Sequence, residues 1–188
     1  DCGYGITTGE KNLCIGATSM GNNDTESNNM AIGFSTLNAA INGGEQNVAI
    51  GNYAGDAITS ADSNVIVGYN AGSAITTGNQ NIIIGVAAAP SLTTGGTNFI
   101  IGSNCDVSGS AADQQIVIGY NQTAVGNNHF SFGSENTNRV YNEFTSNASW
   151  TRSSDERLKK DINTNEDCGL DFINDLRTVT FKWKAPSE

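Results

Sequence analysis

The stretch Asn64-Val65-Ile66-Val67-Gly68 decides the fold, because its five-residue pattern returns along most of the chain at an almost fixed interval. The glycine is the easiest position to follow. Its copies are Gly16, Gly33, Gly51, Gly68, Gly85, Gly102, Gly119 and Gly133. Subtracting each position from the next shows an interval that is nearly constant until the last, shorter step. Such a regular period predicts one short structural unit stacked on itself, which is a parallel β-solenoid in an all-β fold class.

An amide side chain stands four residues before the glycine, as an asparagine in six consecutive coils. Identical amides on successive coils are expected to form a hydrogen-bonded ladder, and the glycine is expected to supply a tight corner. The central pairs of this pattern are Asn47 with Gly51, Asn64 with Gly68, Asn81 with Gly85, and Asn98 with Gly102.

Apolar residues stand three and one positions before every glycine, as Val65 and Val67 do. Alternate residues of a strand share one face, so we expect this pair to form the inner wall of the solenoid. The residue between them would then face outward. Four consecutive coils carry a β-branched residue there, and we predict that these residues form the interface of a homotrimer: Ile66, Ile83, Ile100 and Val117. The alternative is that they pack inside the coil of a single chain.

The remainder of each coil carries a weaker signal. Ile58, Ile75 and Leu92 follow their glycines by seven residues and precede threonine-rich turns. We interpret them as a second short strand in each coil. With rungs about 4.8 Å apart, eight coils would form a shaft about 40 Å long.

Composition and charge exclude several classes of function. The formal net charge is −10, and residues 1–150 hold 11 acidic and 2 basic residues. Such a shaft repels phosphate, so nucleic acid is not an expected partner. No apolar run approaches the roughly 18 residues that a membrane span needs, so we expect no membrane insertion.

The chain opens inside a repeat, because residues 3–12 align with residues 72–81, and we therefore expect it to be part of a longer protein.

Isolated reactive residues have mainly structural interpretations. The four cysteines lack metal-ligand spacing, and we interpret them as small buried residues in preference to a disulfide or a metal site: Cys2, Cys14, Cys105 and Cys168. The single histidine, His129, occupies the asparagine position of the repeat, which favours a structural role. Asp56 and Asp106 lie at similar phases and only weakly suggest calcium, so we predict no metal and no cofactor.

Three tyrosines lie beside the corner glycines: Tyr53, Tyr69 and Tyr120. As exposed rings they would stack on sugars, and as packed rings they would only support the turn; the second interpretation is favoured.

The repeat ends near Gly133. Residues 139–144 alternate polar with apolar side chains and predict a longer strand that closes the stack or intertwines with neighbouring subunits. Ser153 and Glu156 have capping-box spacing and predict a helix, residues 170–176 predict a second helix, and residues 178–184 predict a strand. The C-terminus is therefore expected to be a short α+β segment.

The repeat, with its N-x-x-I-G core and A-I-T-T-G turn, resembles the head repeats of trimeric adhesins and of phage and algal-virus fibre proteins. That resemblance implies a trimeric parallel β-roll. It covers most of the chain, from residue 1 to residue 133.

Residues 154–162, S-D-E-R-L-K-K-D-I, with L-R-T-V-T-F-K-W at residues 176–183, resemble the start of the peptidase S74 intramolecular chaperone domain. The resemblance implies a chaperone that trimerises the chain and then cuts itself off. By position, Ser154 would be the nucleophile, Lys159 the general base and Asp155 a supporting residue, with cleavage between Ser153 and Ser154. On a helix, residues five apart are about 140° from a shared face. Hence either Ser154 precedes the helix, or another subunit completes the pair.

These observations predict three regions: a solenoid shaft at 1–133, a connecting segment at 134–153 and a partial S74-type chaperone at 154–188. The expected function is a structural and host-attachment segment of a viral tail fibre or spike in the virion. Its expected partners are its own copies and a host-surface glycan or protein receptor. The alternatives are a trimeric adhesin on a bacterial cell surface and, less favoured because the regular coils offer no cleft with paired carboxylates, a polysaccharide-degrading tailspike.

Overall fold

The computed structural model of the chain describes residues 1–22, 25–40, 42–145 and 151–152. The chain divides into two units, residues 1–153 and 154–188, and the described residues all belong to the first. They form ten strands joined by turns and contain no helix. The strands are β1 (Leu13–Ile15), β2 (Met30–Ile32), β3 (Val48–Ile50), β4 (Val65–Val67), β5 (Ile82–Ile84), β6 (Phe99–Ile101), β7 (Ile116–Tyr120), β8 (His129–Ser134), β9 (Asn138–Glu143) and β10 (Thr151–Arg152).

All ten strands belong to one sheet whose spatial order is the order of the chain. Strands β1 to β8 pair in parallel and in repeat register, so that Val65 lies beside Ile82 and Ile82 lies beside Phe99. Each strand is therefore one rung of a parallel β-solenoid, in which one copy of the sequence repeat makes one coil. The fold class predicted from the repeat is confirmed for the described residues.

The side of the strand that faces the interior is opposite to the predicted one. The middle residue of the strand is fully buried in β2 to β7, whereas the apolar residues on either side of it are half-buried or exposed. Asn64 and Ile66 are two residues apart and therefore point to the same side of the strand. Because the asparagine needs a buried partner for its amide, the middle residue enters the interior together with it.

The buried asparagines form a continuous ladder through the interior. Asn81 receives hydrogen bonds from the backbone N–H and the side-chain Nδ2 of Asn98, at 3.0 and 2.9 Å. Its own Nδ2 donates to Asn64 Oδ1 at 3.0 Å and to the carbonyl of Gly95 at 3.1 Å. Each amide thus bonds to the coils above and below it, which satisfies polar groups that water cannot reach. At the end of the ladder Gln115 turns instead to Ser108 and Asn127.

The corner glycines pack against one another along the solenoid. At Gly68 the backbone has φ +141°, and a Cβ added there would come within 2.3 Å of the carbonyl oxygen of Gly85 in the next coil. A side chain at this corner would force successive coils apart. The repeat therefore requires glycine for close approach as well as for its backbone conformation.

The wall opposite the strands is built from turns. Ile58, Ile75 and Leu92 are buried there, but no strand forms around them, so the prediction of a second strand per coil is wrong. The physical reason is that the chain bends sharply here, as in the hydrogen bond from Ile58 N to Gly55 O. In an earlier coil Leu37, four residues after its glycine, fills the interior instead, and its side chain lies beside Gly55.

The solenoid ends in a reversal of chain direction. The longer strand predicted at residues 139–144 is present as β9, which folds back antiparallel on β8. The short β10 then pairs antiparallel with β9. Arg139 joins the last turn, because its guanidinium donates to the carbonyl of Thr123 at 2.7 Å.

Candidate functional site: the outer face of the solenoid

The dominant surface feature is a continuous apolar strip on the outside of the strands. We call it the outer apolar face. It consists of the two flanking residues of each parallel strand, none of which is buried: Leu13, Ile15, Met30, Ile32, Val48, Ile50, Val65, Val67, Ile82, Ile84, Phe99, Ile101, Ile116, Ile118, Phe130 and Phe132. Several are well exposed, with Ile15 at 54 %.

The extent of this face is unusual for a protein that remains a monomer. Sixteen partly exposed apolar side chains correspond to on the order of 1,000 Å² of accessible surface, and monomers rarely expose contiguous apolar patches larger than a few hundred Å². A standard protein interface buries about 800 Å² on each partner. The outer apolar face is therefore large enough to be an interaction surface in its own right.

The predicted interface residues require a correction. Ile66, Ile83, Ile100 and Val117 are not surface residues, because all four lie in the buried core of a single chain. They pack beneath the strands against the turn wall, which was the alternative left open by the sequence. The residues on either side of them in each strand, such as Val65 and Val67, form the surface that is open to other subunits. The sequence pattern predicts these flanking residues in the interior, and that prediction is wrong.

Charged residues are absent from the borders of this face over its central rungs. Neither residues 27–44 nor residues 63–105 include a single charged side chain. The acidic residues of the central coils, Glu45 and Asp62, instead lie in the turns that precede the strands. Their oxygens and amides line an open polar groove with a volume of about 410 Å³, together with Gln46, Ser63 and Asn79. In the coils of β3 and β4, a neutral sheet face and an acidic turn thus occupy different parts of the coil.

Aromatic rings extend the exposed apolar surface past the glycine corner. Phe34 and Tyr53 have ring centroids 5.4 Å apart, and Tyr53 and Tyr69 have centroids 6.0 Å apart, both edge to face. Sequence reasoning identified the tyrosines but missed Phe34. The missing signal was available, since Phe34 and Tyr69 both directly follow a corner glycine.

The cysteines differ in part from their predicted roles. Cys2 and Cys14 form a disulfide within the first coil, with a Cα–Cα distance of 6.0 Å, so the prediction of unlinked buried residues is wrong for this pair. The two positions face each other across the coil interior, which their separation along the sequence does not reveal. Cys105 is buried and free as predicted. Burial raises the pKa of its thiol, so it is not poised as a nucleophile.

Other titratable side chains of the described residues differ in their surroundings. Asp106 accepts hydrogen bonds from the backbone N–H groups of Ser91 and Val107. Burial raises the pKa of Asp56, whose Oδ1 is buried without a hydrogen-bond partner among the described residues. His129 bonds the carbonyl of Asn127 at 2.8 Å. In the described ranges, no three histidine, cysteine or acidic side chains gather as metal ligands would.

The predicted catalytic residues, Ser154, Lys159 and Asp155, and the bond between Ser153 and Ser154 lie outside the described residues. The same holds for the two helices and the strand predicted in the C-terminal segment. Within the described part of the chain, no helix has the length and apolar character needed to cross a lipid bilayer.

The described unit is thus an all-β parallel solenoid with an open apolar face. Residues 154–188 match the protein family Peptidase_S74, described as the chaperone of endosialidase. This match covers the same segment that resembled an S74 domain in the sequence. No curated protein and no solved structure matched the chain.

Proposed function

We propose that the chain is the distal, host-attachment segment of a viral tail fibre or spike, assembled as a homotrimer through the outer apolar face. The observation that carries this proposal is the uncharged apolar strip running along eight stacked rungs. In a parallel trimer around an axis along the solenoid, equivalent rungs of the three chains stand at the same height. Valine and isoleucine of one chain then meet the same residues of its neighbours.

The S74 match supports three copies in particular, because chaperone domains of this kind are associated with trimerisation. It also supports a location in the virion, since such domains are typical of tail spike proteins. The acidic side chains in the turns that precede several strands, Glu45, Asp62 and Asp113, would keep finished trimers apart in solution.

The assembly is tested by the native mass of the 188-residue protein, which should be that of three chains. Ile84→Lys places a charge on the outer apolar face and should shift the protein to monomers. The matched control is Thr77→Lys, which adds the same charge to an exposed turn of the same coil and should remain trimeric. A wild-type protein with the mass of a single chain would refute the proposed assembly.

We further propose that the S74 segment cleaves the chain once, between Ser153 and Ser154. The Ser154 hydroxyl would attack the carbonyl carbon of Ser153, and Lys159 would accept its proton as general base, with Asp155 in support. The peptide bond to the Ser154 nitrogen would then break as that nitrogen takes the proton from Lys159, and water would hydrolyse the resulting ester to release the two chains. Lysine serves as a base only when its pKa falls from about 10.4 towards 7 or 8. The neighbouring cations Arg157 and Lys160 favour that shift.

Cleavage is tested by expressing the gene from which this chain derives and measuring intact masses. The wild type should yield a fragment that ends at Ser153, and Ser154→Ala should remain whole. Ser153→Ala is the control, because it alters the other side of the same bond without removing the nucleophile, and it should still be cut. A wild type that stays at full mass would remove autoproteolysis from the proposal and leave the trimer untouched.

A further inference from the structure

Phe34, Tyr53 and Tyr69 form a surface feature that neither the fold nor the proposed trimer requires. We call these three residues the aromatic stripe. Their rings follow one another along the solenoid axis, one per coil, in coils two, three and four. Phe34 is 43 % exposed and Tyr69 is 55 % exposed. The corresponding positions of the next two coils are Val86 and Ser103, so the stripe is a local feature and not part of the repeat.

The backbone holds the stripe in register. The N–H of Tyr53 donates to the carbonyl of Phe34, and the N–H of Ala87 donates to the carbonyl of Tyr69, both at 2.9 Å. These hydrogen bonds join successive coils just after the corner glycines, so the backbone there keeps the same distance between coils as in the sheet. The rings therefore form a fixed row at intervals set by the stacking of the coils.

Tyr53 adopts a backbone conformation that its side chain disfavours. Its φ is +61°, in the left-handed region, where a bulky residue is uncommon. Three other coils place asparagine at this position with nearly the same φ: Asn70 at +55°, Asn104 at +54° and Asn121 at +51°. Asparagine tolerates this conformation well. The other coils fill this position with small or polar residues at similar φ, such as Thr18, Ser35 and Ala87, so a bulky aromatic ring at position 53 points to a role for the ring itself.

The groups around the stripe are polar but uncharged. Asn52 uses its Oδ1 to accept the backbone N–H of Phe34 at 2.8 Å, and among the described residues its Nδ2 bonds to no protein group. The phenol hydroxyls of Tyr53 and Tyr69 likewise form no hydrogen bond with described residues. Aromatic faces interleaved with amide and hydroxyl groups suit a ligand whose apolar faces are edged by hydroxyls.

We propose that the aromatic stripe binds a neutral oligosaccharide that lies along the solenoid axis. Sugar rings present apolar C–H faces to the aromatic rings and hydroxyls to Asn52 and the two phenols. No lysine, arginine or histidine occurs at positions 12–128, so the stretch that holds the stripe has no cation to pair with an anionic sugar, and the net charge of −10 repels one. The side chains of the outer apolar face carry no such polar groups, and this face suits a second copy of the chain instead. This inference rests on the proposed attachment function and names the class of receptor.

The test measures binding of neutral hexasaccharides to the trimeric 188-residue protein by saturation-transfer NMR and titration calorimetry. The probes are linear hexamers of β-linked glucose, β-linked N-acetylglucosamine, α-linked glucose and mannose, and an oligogalacturonate hexamer serves as the anionic comparison. At least one neutral probe should bind, and the anionic probe should not. The inference is overturned when no neutral probe binds at millimolar concentration, or when only the anionic probe binds.

Tyr53→Asn is the decisive variant, because it installs the asparagine of the other coils and should preserve or raise the melting temperature. It should weaken binding of the neutral probe by about fivefold or more, consistent with the loss of one aromatic contact. Tyr120→Ser is the matched control. Like Tyr69 of the stripe, Tyr120 directly follows a corner glycine and is 55 % exposed, but it lies three coils away from the stripe, so the variant should bind normally.

Equal loss in the two variants would refute the site. Conversion of the Tyr53→Asn protein to monomers would also refute it, because the ring would then belong to the subunit interface. Because native mass is measured on the same samples, a wild-type monomer refutes the proposed trimer, whereas a trimer without glycan binding refutes only this inference.

Discussion

The asparagine ladder allows a quantitative prediction about what holds the coils together. Replacing Asn81 by alanine removes a fully buried amide that takes part in four hydrogen bonds. The backbone N–H of Asn98 then loses its acceptor and the carbonyl of Gly95 loses its donor. Each orphaned buried group costs about 1–3 kcal/mol, so we expect Asn81→Ala to lower the free energy of unfolding by about 2–6 kcal/mol.

The matched variant is Asn12→Ala in the first coil. Asn12 makes the same two kinds of bond, to the N–H of Asn29 at 2.9 Å and the carbonyl of Glu26 at 2.7 Å, but it is only half-buried. Asn29 and Glu26 are themselves buried, but the space left by the half-exposed Asn12 side chain lets water reach their freed N–H and carbonyl groups, so the cost should be about 1 kcal/mol or less. Urea unfolding followed by circular dichroism at one fixed protein concentration compares the two variants with the wild type. Equal losses in both variants, or a loss below about 1 kcal/mol for Asn81→Ala, would show that buried amide pairing does not stabilise the solenoid.

Three further predictions test the interior, the cysteines and the buried carboxyl. Ile83→Ala should lower the unfolding free energy by about 2–5 kcal/mol at any protein concentration, whereas the loss in Ile84→Ala should depend on concentration; identical behaviour in urea would contradict the assigned faces. Val117→Cys should form a disulfide with Cys105, as Cys14 does with Cys2 at the same repeat positions. Thiol titration should then find one free thiol fewer than in the wild type, and the closed loop should add about 3 kcal/mol of stability. Burial raises the pKa of Asp56 above 3.8, so its ionised form destabilises the fold at pH 7. Asp56→Asn should raise the melting temperature there by the equivalent of less than about 1 kcal/mol, and this advantage should fade as pH falls through the raised pKa; a gain that persists at pH 3 would contradict the cause.

The prediction of inward and outward faces failed for a reason that individual residues make clear. Each strand has two apolar residues on one face, such as Val65 and Val67, and only one on the other, such as Ile66. The face with more apolar residues is the one that the sequence favours as the inner wall. The interior of a coil this thin accepts one strand side chain per rung, beside the asparagine, one large turn-wall residue such as Ile75 and small ones such as Ala71. Small residues in the middle position of other coils, Ala31 and Ala49, were an indication of that limited space.

The aromatic stripe and the disulfide could be anticipated only in part. Tyr53 and Tyr69 were recognised, but the extra residue inserted between Gly33 and Gly51 obscures how rings from successive coils align. Cys2 and Cys14 are well separated along the chain, and only the width of the folded coil brings their Cα atoms to 6.0 Å. Both features depend on contacts across the coil or between coils, which a residue count along the chain does not measure.

By itself, the sequence determined the period, the parallel stacking, the corner glycines and the ladder of amides, because each of these recurs from coil to coil and satisfies a local backbone requirement. The tertiary structure decided which side of the strand is dry, that the far wall is made of turns, and which apolar residues remain open for partners. Those outcomes depend on the volume enclosed by one coil, a quantity set by the closure of the whole chain and not by any five-residue segment.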